Sequence, residues 1–165
     1  MSDKQVIVSI AEQRLQLRNN GKIAMDVMVA TAKNGAGERS GSECTPRGLH
    51  IIRAKIGDGC PICSVFVGRR ATGEIYTHEL GSNFPHRDWI LSRIMWLSGV
   101  EVGKNRLGDV DSMRRYIYIH GSPDDDVFGE PNSHGCIRMK NADVISLYDK
   151  ISVGTKVLIL EGRLI

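Results

Sequence analysis

The sequence RYIYIHGSPDDDVFGEPNSHGCIRM, residues 115–139, opens with the clearest strand pattern of the chain and closes with a cysteine directly after His-Gly. Tyrosine and isoleucine alternate in its first part, and a period of two is typical of a β-strand with two different faces. The alternation places His120 on the same face as Tyr116 and Tyr118, opposite the isoleucines. The turn-forming residues GSPDDD follow at once. We therefore expect a strand that ends at His120.

Segments on both sides of this stretch also indicate strands. They are QVIVSI (5–10), RLQLRNNGKIAMDVMVATA (14–32), LHIIRAKI (49–56), CPICSVFVGRRATGEIY (60–76) and TKVLIL (155–160). Asn20 and Gly21 supply a tight turn inside the second segment, so the N-terminal part predicts a β meander. The segment HRDWILSRIMWLSG (86–99) fits a buried strand and a short helix equally well.

A long loop and one helix complete the predicted elements. Residues 33–48, KNGAGERSGSECTPRG, are rich in Gly, Ser and Pro, and long loops in compact domains are often functional. Residues 141–151, NADVISLYDKI, predict a helix with Asn141 as N-cap and Asp143 in the first turn, where the helix dipole favours an acid. The chain is therefore predicted to be mostly β with one or two helices, and residues 1–165 have the length of a single domain.

Charge and composition limit the partners and the compartment. Lys and Arg number 22 against 19 Asp and Glu, for a net charge of +3, and the basic residues are scattered, so nucleic acid is not an expected partner. No apolar run has the length of a signal-peptide core or a membrane span, so no membrane association is expected. The four cysteines do not suggest a disulfide framework. Reduced thiols in a cytoplasm are the simplest interpretation.

The chemistry of residues 120–136 depends on what surrounds Cys136. Cysteine attacks a carbonyl carbon as the thiolate, so it needs a base or a positive charge nearby. His134 is placed by the local turn, whereas His120 ends a separate strand and can face the sulfur independently. Gly135 permits a backbone conformation in which its amide and that of Cys136 both point at one developing oxyanion.

The two histidine segments resemble the active-site signature of a known family. IHGS (119–122), followed sixteen residues after its histidine by the cysteine of SHGCIRM (133–139), is similar to the signature of the L,D-transpeptidase family, the YkuD-type catalytic domain. TPRG (45–48), RRYIYIHG (114–121) and NADVISLYDKISVGTKVLI (141–159) extend the resemblance to about residues 6–160. It implies a β-sandwich-like L,D-transpeptidase catalytic domain that needs no metal and no cofactor.

The resemblance also implies a role for individual residues. Cys136 is expected to be the nucleophile and His120 the general base, with the carbonyl of Gly121 holding the imidazole in the right tautomer. Gly135 is expected to contribute to catalysis through its backbone. Three further residues are expected to contact the substrate or shape its site: Ser133 by hydrogen bonding to the turn or the substrate, His134 by shaping the site and binding substrate, and Arg138 by binding a substrate carboxylate through its planar fork. The substrates implied are peptidoglycan peptides or muropeptides, cut between meso-diaminopimelate and D-alanine through a thioester.

Several of these residues have simpler interpretations. Cys136 could be an inert buried thiol, or could bind zinc together with His120 and His134. Arg138 could form a structural ion pair with Asp143 or with one of the three aspartates at 124–126, and those aspartates could instead meet the ammonium of diaminopimelate. Cys60 and Cys63, in CPIC, could be a redox pair or half of a zinc site. Three further histidines are interpreted as structural or surface residues: His50, His78 and His86.

The acceptor of the acyl group follows from the expected compartment. In a cytoplasm the available stems are soluble fragments or precursors, and water outcompetes amines unless the site excludes it. We therefore expect an L,D-carboxypeptidase acting in muropeptide recycling. The alternatives are a periplasmic enzyme that forms 3-3 crosslinks or exchanges D-amino acids, a non-catalytic peptidoglycan-binding module, and a thiol-redox protein. The catalytic hypothesis predicts that alkylating agents label Cys136 fastest below the ordinary thiol pKa of about 8.5.

Overall fold

The computed structural model describes residues 3–165, which form ten strands, two α-helices and one 3₁₀ turn (Gly108–Val110). The strands are β1 (Lys4–Ser9), β2 (Arg14–Asn19), β3 (Lys22–Met28), β4 (Gly48–Ile56), β5 (Ser64–Val67), β6 (Arg70–Ile75), β7 (Ile90–Gly99), β8 (Tyr118–Gly121), β9 (Ile137–Met139) and β10 (Lys156–Leu160). The helices are α1 (His78–Asn83) and α2 (Asn141–Lys150). The prediction of a mostly β domain with one or two helices is confirmed.

All ten strands belong to one mixed sheet that branches at β7. The main path runs β3-β2-β1-β10-β4-β7-β5-β6, while β8 pairs with β7 and carries β9 on its other side. The predicted N-terminal meander is present as β1, β2 and β3. Asn20 and Gly21 have φ of 53° and 80°, the left-handed values that a tight two-residue turn requires.

The segment that fitted both a strand and a helix forms β7, the branch strand of the sheet. Its second half pairs with β4, its first residues with β5, and Leu91 to Trp96 with β8. Neighbours on several sides bury seven of its ten residues, which explains why the sequence lacks a clear alternation. Ser92, with φ of 70°, lies where the register with β8 shifts between Leu91 and Ile94. This bulge bends β7 directly opposite the end of β8.

One apolar core lies between the sheet's inner face and α2. The buried residues come from strands β1, β2, β4, β7, β8, β9 and β10 and from the apolar stripe of the helix, which comprises Val144, Leu147 and Tyr148. Ile119 and Ile137, neighbours on β8 and β9, are fully buried in it. The inner face of this short parallel pair is therefore packed in the core, so the side chains on its outer face are the ones available to line a site.

Two local predictions need correction. Strand β8 begins at Tyr118, because Tyr116 has φ of 57° and lies in a turn, so the strand is shorter than the alternation predicted. Lys140, with no side-chain hydrogen bond, is the N-cap of α2, whereas Asn141 is its first residue. The acceptor for the Asn141 amide is Asp124 Oδ1, at 3.0 Å.

Neither helix of residues 3–165 is long and apolar enough to span a membrane.

Candidate active site

The parallel pairing of β8 and β9 brings the predicted site residues together. His120 pairs in register with Arg138, and Cys136 immediately precedes β9. Since side chains alternate along a strand, Cys136 and Arg138 share the outer face with His120. A cavity of about 140 Å³ opens on this face. Its lining contains five of the predicted residues (His120, Ser133, His134, Cys136 and Arg138) and four others (Asp88, Arg115, Tyr116 and Ile117).

The sulfur of Cys136 is held by the backbone that leads into β8. Its thiol donates to the Tyr116 carbonyl at 3.4 Å, and the Tyr118 amide donates to the sulfur at 3.4 Å. Part of the residue's surface is exposed, but the sulfur itself sits in the cavity wall. Burial raises the pKa of the Cys136 thiol to about 12, against smaller lowering effects from the Tyr118 amide, Arg138 and Arg115. The Cys136 thiol is therefore neutral in the free protein.

His120 has the tautomer that a general base needs. Its Nδ1 donates to the Gly121 carbonyl at 2.7 Å, and because a carbonyl can only accept, the proton is on Nδ1 and the lone pair on Nε2. Among the described residues, Nε2 has no hydrogen-bond partner, and the ring lines the cavity. Burial lowers the pKa of His120, so the imidazole is neutral.

His120 and Cys136 face one cavity, and both are neutral. No hydrogen bond joins Cys136 Sγ to His120 within the described residues, since the thiol proton is directed at the Tyr116 carbonyl. Catalytic hydrogen bonds are often long in free enzymes and tighten with substrate. Proton transfer to His120 Nε2 would require the S–H to turn away from the Tyr116 carbonyl.

The loop before Cys136 is shaped by Ser133. Its Oγ donates to the Cys136 carbonyl at 2.6 Å and accepts from the Gly135 amide at 3.2 Å. Gly135 has φ of 135°, and a Cβ there would lie 3.2 Å from Ile117 Cδ1, so the turn favours glycine. Because its amide is already bonded within the loop, Gly135 would have to release Ser133 to serve an oxyanion. His134 is exposed at the rim.

The long loop at residues 33–48 borders the site, as its length suggested. Thr45 Oγ1 donates to the Gly135 carbonyl at 2.9 Å and accepts from the Ala32 amide at 2.9 Å, which ties the loop to the cysteine turn. Arg115 donates to the Cys44 carbonyl at 2.7 Å from the other side. A second cavity of about 200 Å³ lies beside this loop and shares Arg115, Ile117 and His134 with the first.

Comparison with known proteins agrees with this geometry. The family model of the YkuD L,D-transpeptidase catalytic domain matches residues 3–159, nearly the whole chain. The chain belongs to the L,D-transpeptidase family. A 49-residue segment is 46% identical to "Putative L,D-transpeptidase YqjB" of Bacillus subtilis (strain 168), covering 30% of this chain and 28% of that protein.

Solved structures of L,D-transpeptidases share the fold of this domain. One from Mycobacterium smegmatis superimposes with a TM-score of 0.57 and 16% identity over 96% of this chain and 58% of that one. L,D-transpeptidase 3 from Mycobacterium tuberculosis, in complex with a faropenem-derived adduct, gives 0.60 and 14% over 97% and 61%. The chain thus spans less than two thirds of the length of these relatives. L,D-transpeptidases form a class of enzymes with a cysteine nucleophile that act on peptidoglycan peptide stems.

Arg138 of this L,D-transpeptidase domain has a partner that the sequence did not suggest. Its Nη2 lies 3.4 Å from Asp88 Oδ1, and its Nη1 donates to the carbonyl and side-chain oxygens of Asn132 at 3.3 and 3.2 Å. Arg138 thus does form an ion pair, but its partner is Asp88. The predicted partners, Asp143 or an aspartate at 124–126, are wrong. Asp88 had no signal in the sequence, because it is a single acid in a segment of ambiguous structure.

A buried polar network supports the end of β8. Asn141, 1% exposed, accepts from Ser92 Oγ at 2.6 Å and donates to the Ser122 carbonyl at 2.9 Å. A Cβ at Gly121 would lie 2.5 Å from the Leu91 carbonyl and 2.8 Å from Asn141 Oδ1, so only glycine fits there. The network fixes the backbone on both sides of the carbonyl that holds His120. Of this network, the sequence indicated only Asn141, through the helix pattern that begins there.

Asp124, Asp125, Cys60 and Cys63 do not line the catalytic cavity. Asp126 is near enough to it to be affected by its charges: burial raises the pKa of the Asp126 carboxyl, the charge of Arg138 lowers it, and that of Asp88 raises it. Asp124 caps α2, and Asp125 Oδ2 lies 3.5 Å from His78 Nδ1. Cys60 and Cys63 are free thiols, and the Cys63 amide donates to Ser92 Oγ at 2.9 Å. Within residues 3–165, no group of three or more His, Cys, Asp or Glu side chains is arranged to hold a metal ion.

Proposed function

We propose that this protein is a cysteine acyl-transfer enzyme that acts on peptidoglycan tetrapeptide stems at the bond between meso-diaminopimelate and D-alanine. The observation that carries the proposal is the convergence on one cavity of the Cys136 thiol, the unpartnered Nε2 of His120 and the guanidinium of Arg138. Membership of the L,D-transpeptidase family supplies the class of substrate.

The proposed reaction begins with proton transfer coupled to attack. Cys136 Sγ bonds to the diaminopimelate carbonyl carbon while its proton passes to His120 Nε2, because neither group is charged beforehand. His120 then gives this proton to the departing amine as the C–N bond breaks, which leaves a thioester and free D-alanine. In the second half His120 takes a proton from the acceptor, and the thiol leaves with that proton. The Gly121 carbonyl stabilises the transient imidazolium through Nδ1–H.

Water is the acceptor that we propose, which makes the enzyme an L,D-carboxypeptidase of muropeptide recycling. The cavity at Cys136 is about 140 Å³, smaller than typical ligand pockets of about 300–1,000 Å³, so it suits a reacting centre and a water better than two peptide stems. Water also needs no binding site of its own to compete with dilute amines.

Transpeptidation, by 3-3 crosslinking or D-amino-acid exchange, is the second candidate. The adjoining cavity of about 200 Å³ supports it, since an amine entering there would pass His134 on its way to the thioester. A substrate test separates the two. The protein is incubated with disaccharide tetrapeptide, alone and with excess D-amino acid, and the products are weighed. Tripeptide should dominate both mixtures if water is preferred, whereas dominant 3-3 dimers or exchange products would reverse the order of the candidates.

The compartment remains a proposal as well. Cytoplasmic localisation, expected from the cysteine content, fits an enzyme of recycled fragments. Fractionation of the full-length native protein tests it directly, and recovery in a periplasmic fraction would favour crosslinking over recycling.

A further inference from the structure

Asp88 is an acidic side chain in the catalytic cavity that the reaction above does not use. It lies in the loop between α1 and β7, and its hydrogen-bond partner among the described residues is Arg138. The side chain is 59% exposed, so one face of the carboxylate is open to the cavity. A carboxylate in that position presents a negative charge to whatever enters.

The two neighbours of Asp88 fix its position. Arg87 donates to both carboxylate oxygens of Glu74, at 2.8 and 3.1 Å. Trp89 packs edge to face on Tyr76, with ring centroids 5.0 Å apart. Both contacts anchor the loop to β6 and the residue that follows it. The Asp88 carboxylate is therefore preorganised without being consumed in holding the loop, a property expected of a binding group.

Arg138 and Asp88 are side by side but loosely paired. Their separation of 3.4 Å exceeds the 2.7–2.9 Å that is typical of a charge-assisted hydrogen bond. The other contacts of Arg138, from Nη1 to the two oxygens of Asn132 at 3.3 and 3.2 Å, are also long, so the planar guanidinium is not saturated by its protein partners. A guanidinium next to a carboxylate is complementary to a group that carries an ammonium and a carboxylate on the same carbon.

We propose that Asp88 and Arg138 form a subsite for the amino-acid head group at the end of the substrate's side chain, with Asp88 binding its ammonium and Arg138 its carboxylate. The inference rests on the proposed function, because meso-diaminopimelate ends in such a group. Asp88 is then a specificity-determining residue. It selects stems whose side-chain amine is free and disfavours stems whose amine has been converted to an amide by crosslinking.

The location of Asp88 also links recognition to reactivity. Its charge is one of the causes that raise the pKa of Cys136, behind burial, and it opposes formation of the thiolate. An ammonium bound to Asp88 would offset that charge just as the thiol is to be deprotonated. A substrate with a free amine therefore makes the site more favourable for its own attack.

A binding experiment tests the subsite independently of turnover. The Cys136→Ala protein is titrated calorimetrically with two tetrapeptides that differ in one group, a free or an acetylated side-chain amine on diaminopimelate. We expect about 10- to 100-fold weaker binding of the acetylated peptide, the range for a hydrogen bond between charged groups. Adding Asp88→Asn should weaken the free-amine peptide to the same level and leave the acetylated peptide unchanged.

Asp125→Asn is the matched control for Asp88→Asn. Asp125 is 62% exposed, pairs with His78 at 3.5 Å and lies outside the catalytic cavity, so its loss should change neither affinity. Equal weakening of both peptides by Asp88→Asn would overturn the subsite, as would a parent protein indifferent to acetylation. Normal discrimination in binding without any turnover by the unmodified enzyme would instead refute the proposed function and spare the subsite.

Discussion

The buried histidines His120 and His50 have similar surroundings and differ in the hydrogen bonding of one ring atom, Nε2. Each donates from Nδ1 to the carbonyl of a nearby glycine, Gly121 at 2.7 Å and Gly48 at 3.0 Å, and burial lowers the pKa of both. Nε2 of His50 accepts from Ser112 Oγ at 2.8 Å, whereas Nε2 of His120 faces the cavity of Cys136 without a partner among the described residues.

This difference separates a structural histidine from a candidate base. A glycine carbonyl at Nδ1 fixes the tautomer in both cases, so a buried ring, a lowered pKa and a backbone hydrogen bond do not by themselves indicate catalysis. What distinguishes His120 is an Nε2 lone pair without a partner among residues 3–165, in the same cavity that Cys136 lines. Substitutions at the thiol and at each histidine test that distinction.

Cys136→Ala should abolish turnover of the tetrapeptide while the fold remains, because no other described group lining the cavity can form the thioester. Release of D-alanine and circular dichroism measure the two quantities. A β-lactam of the carbapenem class should add one adduct mass to the parent protein and none to the variant. Turnover near the parent rate in Cys136→Ala would end the cysteine mechanism.

His120→Ala should lower kcat by about 10²–10⁴-fold, the usual contribution of a general base. His134→Ala should retain more activity, since its side chain is exposed at the rim. Steady-state kinetics on the tetrapeptide gives both values. The opposite order for the two histidines would move the base to His134.

His50→Ala should preserve the chemistry and weaken the fold. Two partners lose their hydrogen bonds in a buried site, at a cost of roughly 1–3 kcal/mol in the free energy of unfolding. Denaturant unfolding and kcat are measured on the same preparation. A large fall in kcat without a loss of stability would contradict the contrast with His120.

The pH dependence of stability should report His50. Its pKa is lowered from 6.5 to about 4, so the unfolded chain binds a proton there before the folded protein does. The stabilisation is complete above pH 6.5 and is lost as pH falls from 6.5 toward 4, by on the order of 3 kcal/mol. In His50→Ala this part of the loss should disappear, and an unchanged profile would exclude the assignment.

Alkylation of Cys136 should be slow at neutral pH and should keep rising with pH, because its pKa is raised to about 12. This reverses the sequence-based expectation of fast labelling below pH 8.5, which took no account of burial. Mass mapping of labelled peptides over a pH series distinguishes the two. A plateau for Cys136 below pH 8 would indicate a preformed ion pair with His120.

Local patterns predicted more of the fold than of the site's surroundings. The alternation in residues 115–121, the Asn20-Gly21 turn and the helix at 141–151 each depend on neighbours in sequence. The turn was confirmed at the predicted residues, and the strand and the helix with shifted ends. Whether residues 90–99 form a strand or a helix depended on pairing with strands distant in the chain, so the local pattern could not decide between the two. The sequence showed the SHGC turn, but not that Ser133 would already hold the Gly135 amide.

The groups that were missed reach the site through tertiary contacts. Asp88 comes from a loop that is anchored on β6 by Arg87 and Glu74. Arg115 is held in place by a hydrogen bond to the carbonyl of Cys44, some seventy positions away in the chain. The raised pKa of Cys136 likewise results from burial, which no motif reveals. Motifs therefore indicated the reacting atoms, while the packing determined their protonation and their neighbours.

The connection between β8 and β9 has a consequence for how this domain could diversify. Two backbone hydrogen bonds hold it to the segment after β3, from the Gly129 amide to the Val29 carbonyl and from the Asn132 amide to the Thr31 carbonyl, both at 2.9 Å. Glu130 and Pro131 between them are exposed. Extra residues inserted there would form an excursion closed at its base, at about 0.6 kcal/mol for each doubling of loop length. The number of residues between His120 and Cys136 can thus increase at little cost in stability. Insertions at this position would place new binding residues beside the cavity without displacing either His120 or Cys136.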